Sequence, residues 1–204
     1  MGLPVEKRRY SVKEYLELEV GASERHEYYY GEILAMSGGS DTHSFVIANV
    51  IREFGNSIKG KPCSVADGNL RVRNIHESRY VYPDASVICG ERQYDPEDAN
   101  RHTVVNPRVI IEVLSPTTEA YDRGNKFEYY QGIASVEEYV LISQDRPSAQ
   151  TFLRQPDRTW SMMGVNGLDA MLRVRSLEIE IPLAEIYYRI AFTEPPRAPE
   201  ATSA

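Results

Sequence analysis

The chain has 204 residues, 42% of them apolar and 26% charged, and a formal net charge of −7. That length suits one domain whose core needs neither disulfides nor a structural metal. The acidic balance argues against a protein that holds nucleic acid by general charge attraction alone, since such affinity comes from neutralising phosphates; carboxylates that hold a cation for phosphate chemistry stay open.

Ser11-Val12-Lys13-Glu14 has the form of a capping box and predicts a short helix from Val12 to Glu19. No apolar signal core precedes it, and no apolar run approaches the ~18 residues of a membrane span. A cytoplasmic protein with no membrane association is expected. RHEYYYGEILAMS reads as a hairpin joined at Gly31-Glu32. DTHSFVIANVIREFGNSIKG is the clearest helix: Ile47, Val50, Ile51, Phe54 and Ile58 recur at helical steps, Ser40 or Asp41 can cap it, and Gly60 can end it. CSVA, NLRVR and YVYPDASVIC follow as strands, and residues 90–106 read as a long charged surface loop. Cys63 and Cys89 lie outside any C-x-x-C pattern and are expected as free thiols of a reducing cytosol.

RVIIEVLSP is then a strand apolar on both sides. TTEAYDRGNKFEYYQGI is helical in character with Gly124 as its weak point, and EEYVLIS and AQTFLR are strands. TWSMMG, AMLRVRSL and EIEIPL are weaker β segments, and PLAEIYYRI is a last short helix. The order predicts an α/β or α+β fold with a mixed central β-sheet flanked by helices. Residues 1–9 are expected to be flexible, 10–191 to form a single domain, and 192–204 to be a disordered tail.

Glu112 is the anomaly. A strand apolar on both sides is buried on both sides, and a buried carboxylate needs a partner. Asp84, after Pro83 at a strand start, is a second acid in strand context. Two carboxylates brought together repel unless a positive charge lies between them. A divalent cation and a salt bridge from each acid to an arginine both satisfy that demand. Lys126 stands fourteen positions after Glu112, and by spacing alone it reads as an i,i+4 surface partner of Asp122.

A Pro-Asp, a Glu within an apolar strand and then a Lys resembles the PD-(D/E)XK nuclease superfamily. In its usual form the lysine stands two residues after the acid, a position held here by Leu114. The longer string IIEVLSPTTEAYDRGNKFEYYQGI, with YPDASVIC before it and EEYVLIS after it, resembles the Uma-two family of restriction endonucleases abundant in cyanobacteria, in which the lysine has migrated to the following helix. SVKEYLELE, RHEYYYGEILAMSGGSDTHSFVIANV and SLEIEIPLAEIYY extend the likeness over residues 10–190.

The resemblance implies a restriction-endonuclease-like fold and a Mg²⁺-dependent DNA endonuclease, with Mn²⁺ able to substitute. It makes Asp84 and Glu112 the metal-binding acids, the Val113 backbone carbonyl a further ligand, and Lys126 the migrated catalytic lysine. It gives His43 and Glu27 supporting places. DNA of unspecified sequence and a second copy of the chain, as a homodimer, are the implied partners. The other class of reading is a catalytically weak nucleic-acid-binding or assembly module that keeps the fold. One departure stands out: family members often carry an acid just before the LRV strand, where this chain has Asn69, with Asp67 two residues early.

Overall fold

In the computed structural model, which describes residues 8–36 and 38–192, the capping box forms as predicted. Ser11 Oγ accepts the Glu14 N–H at 3.2 Å and the Glu14 carboxylate accepts the Ser11 N–H at 2.8 Å, opening α1 (Val12–Val20). The hairpin follows as β1 (His26–Tyr29) and β2 (Glu32–Ala35). Its turn is Tyr30-Gly31, one residue earlier than expected, because those two residues adopt positive φ (44° and 99°), the geometry whose twist fits a two-residue connection. Ser40 caps α2 (Asp41–Ser57), its Oγ accepting the His43 N–H at 3.1 Å.

Six strands come next: β3 (Cys63–Asp67), β4 (Arg71–Arg73), β5 (Arg79–Val81), β6 (Ala85–Cys89), β7 (Thr103–Val104) and β8 (Val109–Leu114). The run YVYPDASVIC is divided between β5 and β6, which belong to different sheets. Pro83 has no N–H for a ladder, and the chain changes sheet around it. The predicted helix after β8 is one broken element: α3 (Glu119–Tyr121), a π-helical stretch (Asp122–Lys126) and α4 (Phe127–Gln131). The chain continues through β9 (Glu138–Ser143), β10 (Ser148–Arg154), β11 (Trp160–Asn166), β12 (Met171–Val174), a 3-10 turn (Arg175–Leu177), β13 (Ile179–Pro182) and α5 (Leu183–Ile186).

A six-stranded sheet in the order β11-β10-β9-β8-β6-β3 lies at the centre, mixed because β8 and β9 run parallel while the other pairs are antiparallel. A five-stranded sheet, β2-β1-β5-β4-β7, and the β12-β13 pair accompany it. β8 is buried on both faces. Val109, Ile111 and Val113 pack with Val46, Val50 and Phe54 of α2, while Ile110 and Leu114 pack with Tyr129, Tyr130 and Tyr139. Each such side chain contributes about 1.5–3 kcal/mol by leaving water, so the strand that carries Glu112 is among the most firmly held.

Two expectations need correction. The 90–106 segment is not simply a surface loop: β7 pairs with β4, and Asp95 and Asp98 are buried against Arg73 and Arg71 at 2.8 and 2.9 Å. Cys63 and Cys89 are not free thiols but a disulfide. The antiparallel β3–β6 register sets them directly opposite one another, with Cα atoms 4.0 Å apart, which their spacing along the chain does not disclose. The expected flexible terminus and disordered tail fall mostly outside the described residues. Of those segments Arg8 pairs with Glu14 at 3.3 Å, and Phe192 packs its ring 5.3 Å from that of Tyr187. Among the described residues no helix is long and apolar enough to cross a membrane.

Candidate active site

The break between β5 and β6, the C-terminal end of β8, the start of α2, the β1–β2 hairpin and the π-helical stretch meet around a cavity of about 460 Å³. Glu27, His43, Asp84, Glu112 and Lys126 all line it, and so does Asp122. Five side chains singled out in the sequence, spread over 100 positions from 27 to 126, thus face one space.

Glu112 is 1% exposed. Its Oε2 accepts the Asp84 N–H at 3.1 Å, and its Oε1 accepts from Lys126 Nζ at 2.8 Å and the Tyr130 hydroxyl at 3.0 Å. Asp84 returns the link to β8, its Oδ2 accepting the Val113 N–H at 2.7 Å. His43 reaches in from the first turn of α2: its Nε2 lies 2.9 Å from the Val113 carbonyl and 3.4 Å from Asp84 Oδ2. Gly39 makes room for that ring, since a Cβ there would sit 2.6 Å from His43 Nδ1.

Lys126 is buried, at 5% exposure, so the surface pair suggested by spacing is an interior one. Its Nζ donates to Glu112 and to the Tyr82 carbonyl at 3.1 Å, and lies 3.7 Å from Asp122 Oδ1 and 3.8 Å from Glu27 Oε1. The π-helical stretch turns both Asp122 and Lys126 inward, and such insertions recur at functional sites. Glu27 comes from the other sheet. Its Oε2 accepts the Tyr121 hydroxyl at 2.9 Å, and that hydroxyl accepts from Arg79 Nη2 at 2.8 Å.

Four carboxylates therefore surround one ammonium. Burial alone would lower the Lys126 pKa, but the summed attraction of Glu112, Glu27, Asp122 and Asp84 raises it far above its ordinary value, so the group is an ammonium. Burial raises the Glu112 carboxyl well above the usual carboxylate range, against the pull of Lys126, and it raises Asp122 in the same way. His43 is raised as well: burial opposes its charge, but Asp84 and the Val113 carbonyl favour it more. The shifts thus have two causes: burial raises the two carboxyls, and the surrounding acids raise Lys126 and His43.

Among the described residues no three or more His, Cys, Asp or Glu side chains form a ready metal cage. Mg²⁺, however, is commonly held by one or two carboxylates while keeping several waters. Asp84, Glu112 and the Val113 carbonyl offer an all-oxygen set on adjoining strands, and Asp84 Oδ1 has no hydrogen-bond partner among the described residues. This donor set fits a hard divalent cation. The Asn69 position adds nothing to it: Asn69 Nδ2 donates to Asp67 Oδ2 at 2.8 Å, and neither residue lines the cavity. Leu114 is buried in the apolar cluster with Tyr129 and Tyr130. Sequence reasoning missed Asp122 as a cavity residue, although a helical i,i+4 pair directly after an acid-bearing buried strand was a usable signal.

A family model named Uma2 and described as "Putative restriction endonuclease" matches residues 12–184. Two uncharacterized proteins of Synechocystis sp. are similar along nearly their whole length. The one named slr1290 is 33% identical, over 89% of this chain and 93% of its own; sll1609 is 30% identical, over 81% and 93%. A crystal structure from Anabaena variabilis, described as a "putative nuclease belonging to DUF820", superposes with a TM-score of 0.69 at 17% identity, covering 87% of this chain and 97% of that one. At that identity the likeness establishes the shared fold.

Proposed function

The chain belongs to the Uma2 family, and from that premise we propose that it is a Mg²⁺-dependent endonuclease hydrolysing phosphodiester bonds in DNA. In this reading Asp84, Glu112 and the Val113 carbonyl hold the cation, and Lys126 is the migrated catalytic lysine. The observation that supports it best is the Lys126 ammonium, delivered from the helix after β8 onto Glu112 at 2.8 Å, in the cavity that Asp84 also lines.

A divalent cation bound there would neutralise a non-bridging phosphoryl oxygen and acidify a nucleophilic water. Lys126 acts as a hydrogen-bond donor, as it already does to Glu112 and the Tyr82 carbonyl. Its N–H groups donate to the attacking water or to the phosphoryl oxygens as negative charge builds. Asp122 lies outside the proposed cation set but lines the same cavity, 3.7 Å from Lys126 Nζ, and in this reading it takes the proton the water releases. His43 keeps the Val113 carbonyl and the Asp84 carboxylate in mutual register. Glu27, anchored through Tyr121 and Arg79, holds the far side of Lys126.

The test is purified protein with plasmid or single-stranded DNA and Mg²⁺ or Mn²⁺. Strand cleavage is expected from the wild type and should be lost in Asp84→Ala and Glu112→Ala. Equal behaviour of wild type and Glu112→Ala across metals and substrates rejects the reading. The buried Leu114, standing where a lysine ordinarily stands, favours the alternative of a catalytically weak binding or assembly module. That alternative predicts no calorimetric signal with millimolar Mn²⁺.

A further inference from the structure

The cavity has two unlike walls. Glu27, Asp84, Glu112 and Asp122 form an acidic floor, whereas the rim built from the start of α2, the turn after β8 and the end of β9 presents the neutral groups Ser40, Ser115, Thr117, Thr118 and Gln144. Ser115 Oγ lies 3.0 Å from both the Thr117 and the Thr118 hydroxyls.

Gln144 is the unusual member of this rim. It directly follows β9, is 8% exposed, and its backbone N–H donates to the Leu114 carbonyl at 3.1 Å. Its Oε1 accepts from Ser40 Oγ at 3.3 Å, while Ser40 Oγ accepts the His43 N–H at 3.1 Å. That relay orients the amide, because the one proton of Ser40 Oγ needs an acceptor. Gln144 Nε2 is left lining the cavity with no hydrogen-bond partner among the described residues. The residue is largely buried, yet this nitrogen is not among the buried unpartnered atoms: it faces the cavity, where its two N–H groups are available to a ligand.

We propose that Gln144 Nε2, together with the rim hydroxyls, binds a non-bridging oxygen of the phosphate that flanks the reacting one along a nucleic-acid strand. The inference rests on the nuclease reading of the floor. A cation and Lys126 meet the charge of the reacting phosphate, and His43 is engaged with Asp84 and the Val113 carbonyl, so a flanking phosphate at the rim meets neutral groups with four acids nearby. A neutral donor is the group that can hold it there. Contacts of this kind fix register and carry no sequence information, so Gln144 is a positioning residue for any strand.

Two variants test this. Gln144→Glu keeps the acceptor used by Ser40 and replaces the donor with a charge; Gln144→Leu removes both. The readouts are fluorescence anisotropy of a labelled single-stranded oligodeoxynucleotide in Ca²⁺, Mn²⁺ calorimetry, and melting temperature. Gln144→Leu is expected to weaken oligonucleotide binding about tenfold, the equivalent of ~1.4 kcal/mol, with Mn²⁺ affinity unchanged and the loss in KM rather than kcat. Gln144→Glu is expected to weaken binding further. Replacing the flanking phosphate by a methylphosphonate should bring wild type and Gln144→Leu together. Wild-type oligonucleotide affinity in Gln144→Glu, with wild type itself binding Mn²⁺ and DNA, overturns this inference alone. Failure of the wild type to bind either one overturns the nuclease reading and this inference with it. If Gln144→Leu does not fold, Gln144→Glu decides.

Discussion

Two of the buried charged clusters among the described residues are built on opposite plans. In one, Arg71 and Arg73 of β4 meet Asp98 and Asp95 at 2.9 and 2.8 Å, with the Tyr80 hydroxyl donating to Asp95 at 2.6 Å. Among the buried side chains charge there is balanced, with the half-exposed Glu97 also 2.7 Å from Arg73, and the guanidinium groups lie over the rings of Tyr15, Tyr80 and Tyr82. In the other, Lys126 faces four carboxylates and a cavity. The pKa directions follow the charge count. Burial acts to raise Asp98, but the Thr103 hydroxyl and Arg71 hold it below its ordinary value, whereas Glu112 and Asp122 are pushed up. Buried charge is thus not by itself a mark of function. A cluster that neutralises itself ties a loop to a sheet, and one left with an excess and an opening is suited to take a partner.

The largest expected effect is on the balanced side. Asp98→Ala strands Arg71, 1% exposed, as an uncompensated buried charge. It should cost about 3–5 kcal/mol, read as a lower urea midpoint at unchanged slope. Lys126→Met removes the one ammonium on the acidic side. A loss of about 1–3 kcal/mol is expected, and it should recover as pH is lowered or Mg²⁺ is added, whereas Asp98→Ala should not recover under either treatment. Glu112→Gln should lower Mn²⁺ affinity at least about tenfold in calorimetry without lowering the melting temperature, because it removes one of several like charges. A melting-temperature drop as large as that of Asp98→Ala would erase the distinction between the clusters.

The smallest effects concern pH. The contribution of Asp98, whose pKa is depressed in the folded state, is present above the unfolded value of ~3.9 and is lost as pH falls through the folded one. Asp98→Asn should therefore flatten the acid limb of stability against pH. Asp122, raised in the folded state, acts in the opposite sense: ionising it costs stability that appears as pH rises above ~4. Asp122→Asn should flatten that higher limb. Thermal melts from pH 3 to pH 8 measure both, and equal slopes in the two variants contradict the assignment of one balanced and one acid-rich cluster.

Much of this was legible along the chain. The capping box at Ser11, the helical repeat from Ile47 to Ile58 and the two-sided apolar β8 are local signals, and local signals survive folding because they depend on neighbours a few residues apart. The anomaly of Glu112 was equally local, a carboxylate in a strand with no polar face. The Asp95 and Asp98 anchors were not visible, since a charged, Pro-containing segment reads as solvated until its arginines are known to be buried. Asp122 and Gln144 were missed for a similar reason: an acid near a lysine and an amide after a strand are common on surfaces, and only burial makes them notable.

Local patterns along the chain were enough for most of the elements and their order, β7 excepted, for the family resemblance and for the need of Glu112 for a partner. Tertiary structure decided which partners arrive. Cys63 met Cys89 through the register of two antiparallel strands, Glu27 reached Lys126 from a different sheet, and the chain changed sheets around Pro83 so that Asp84 came beside Val113. Such contacts join residues tens of positions apart, whose meeting is set by how whole faces pack rather than by the preferences of any one segment.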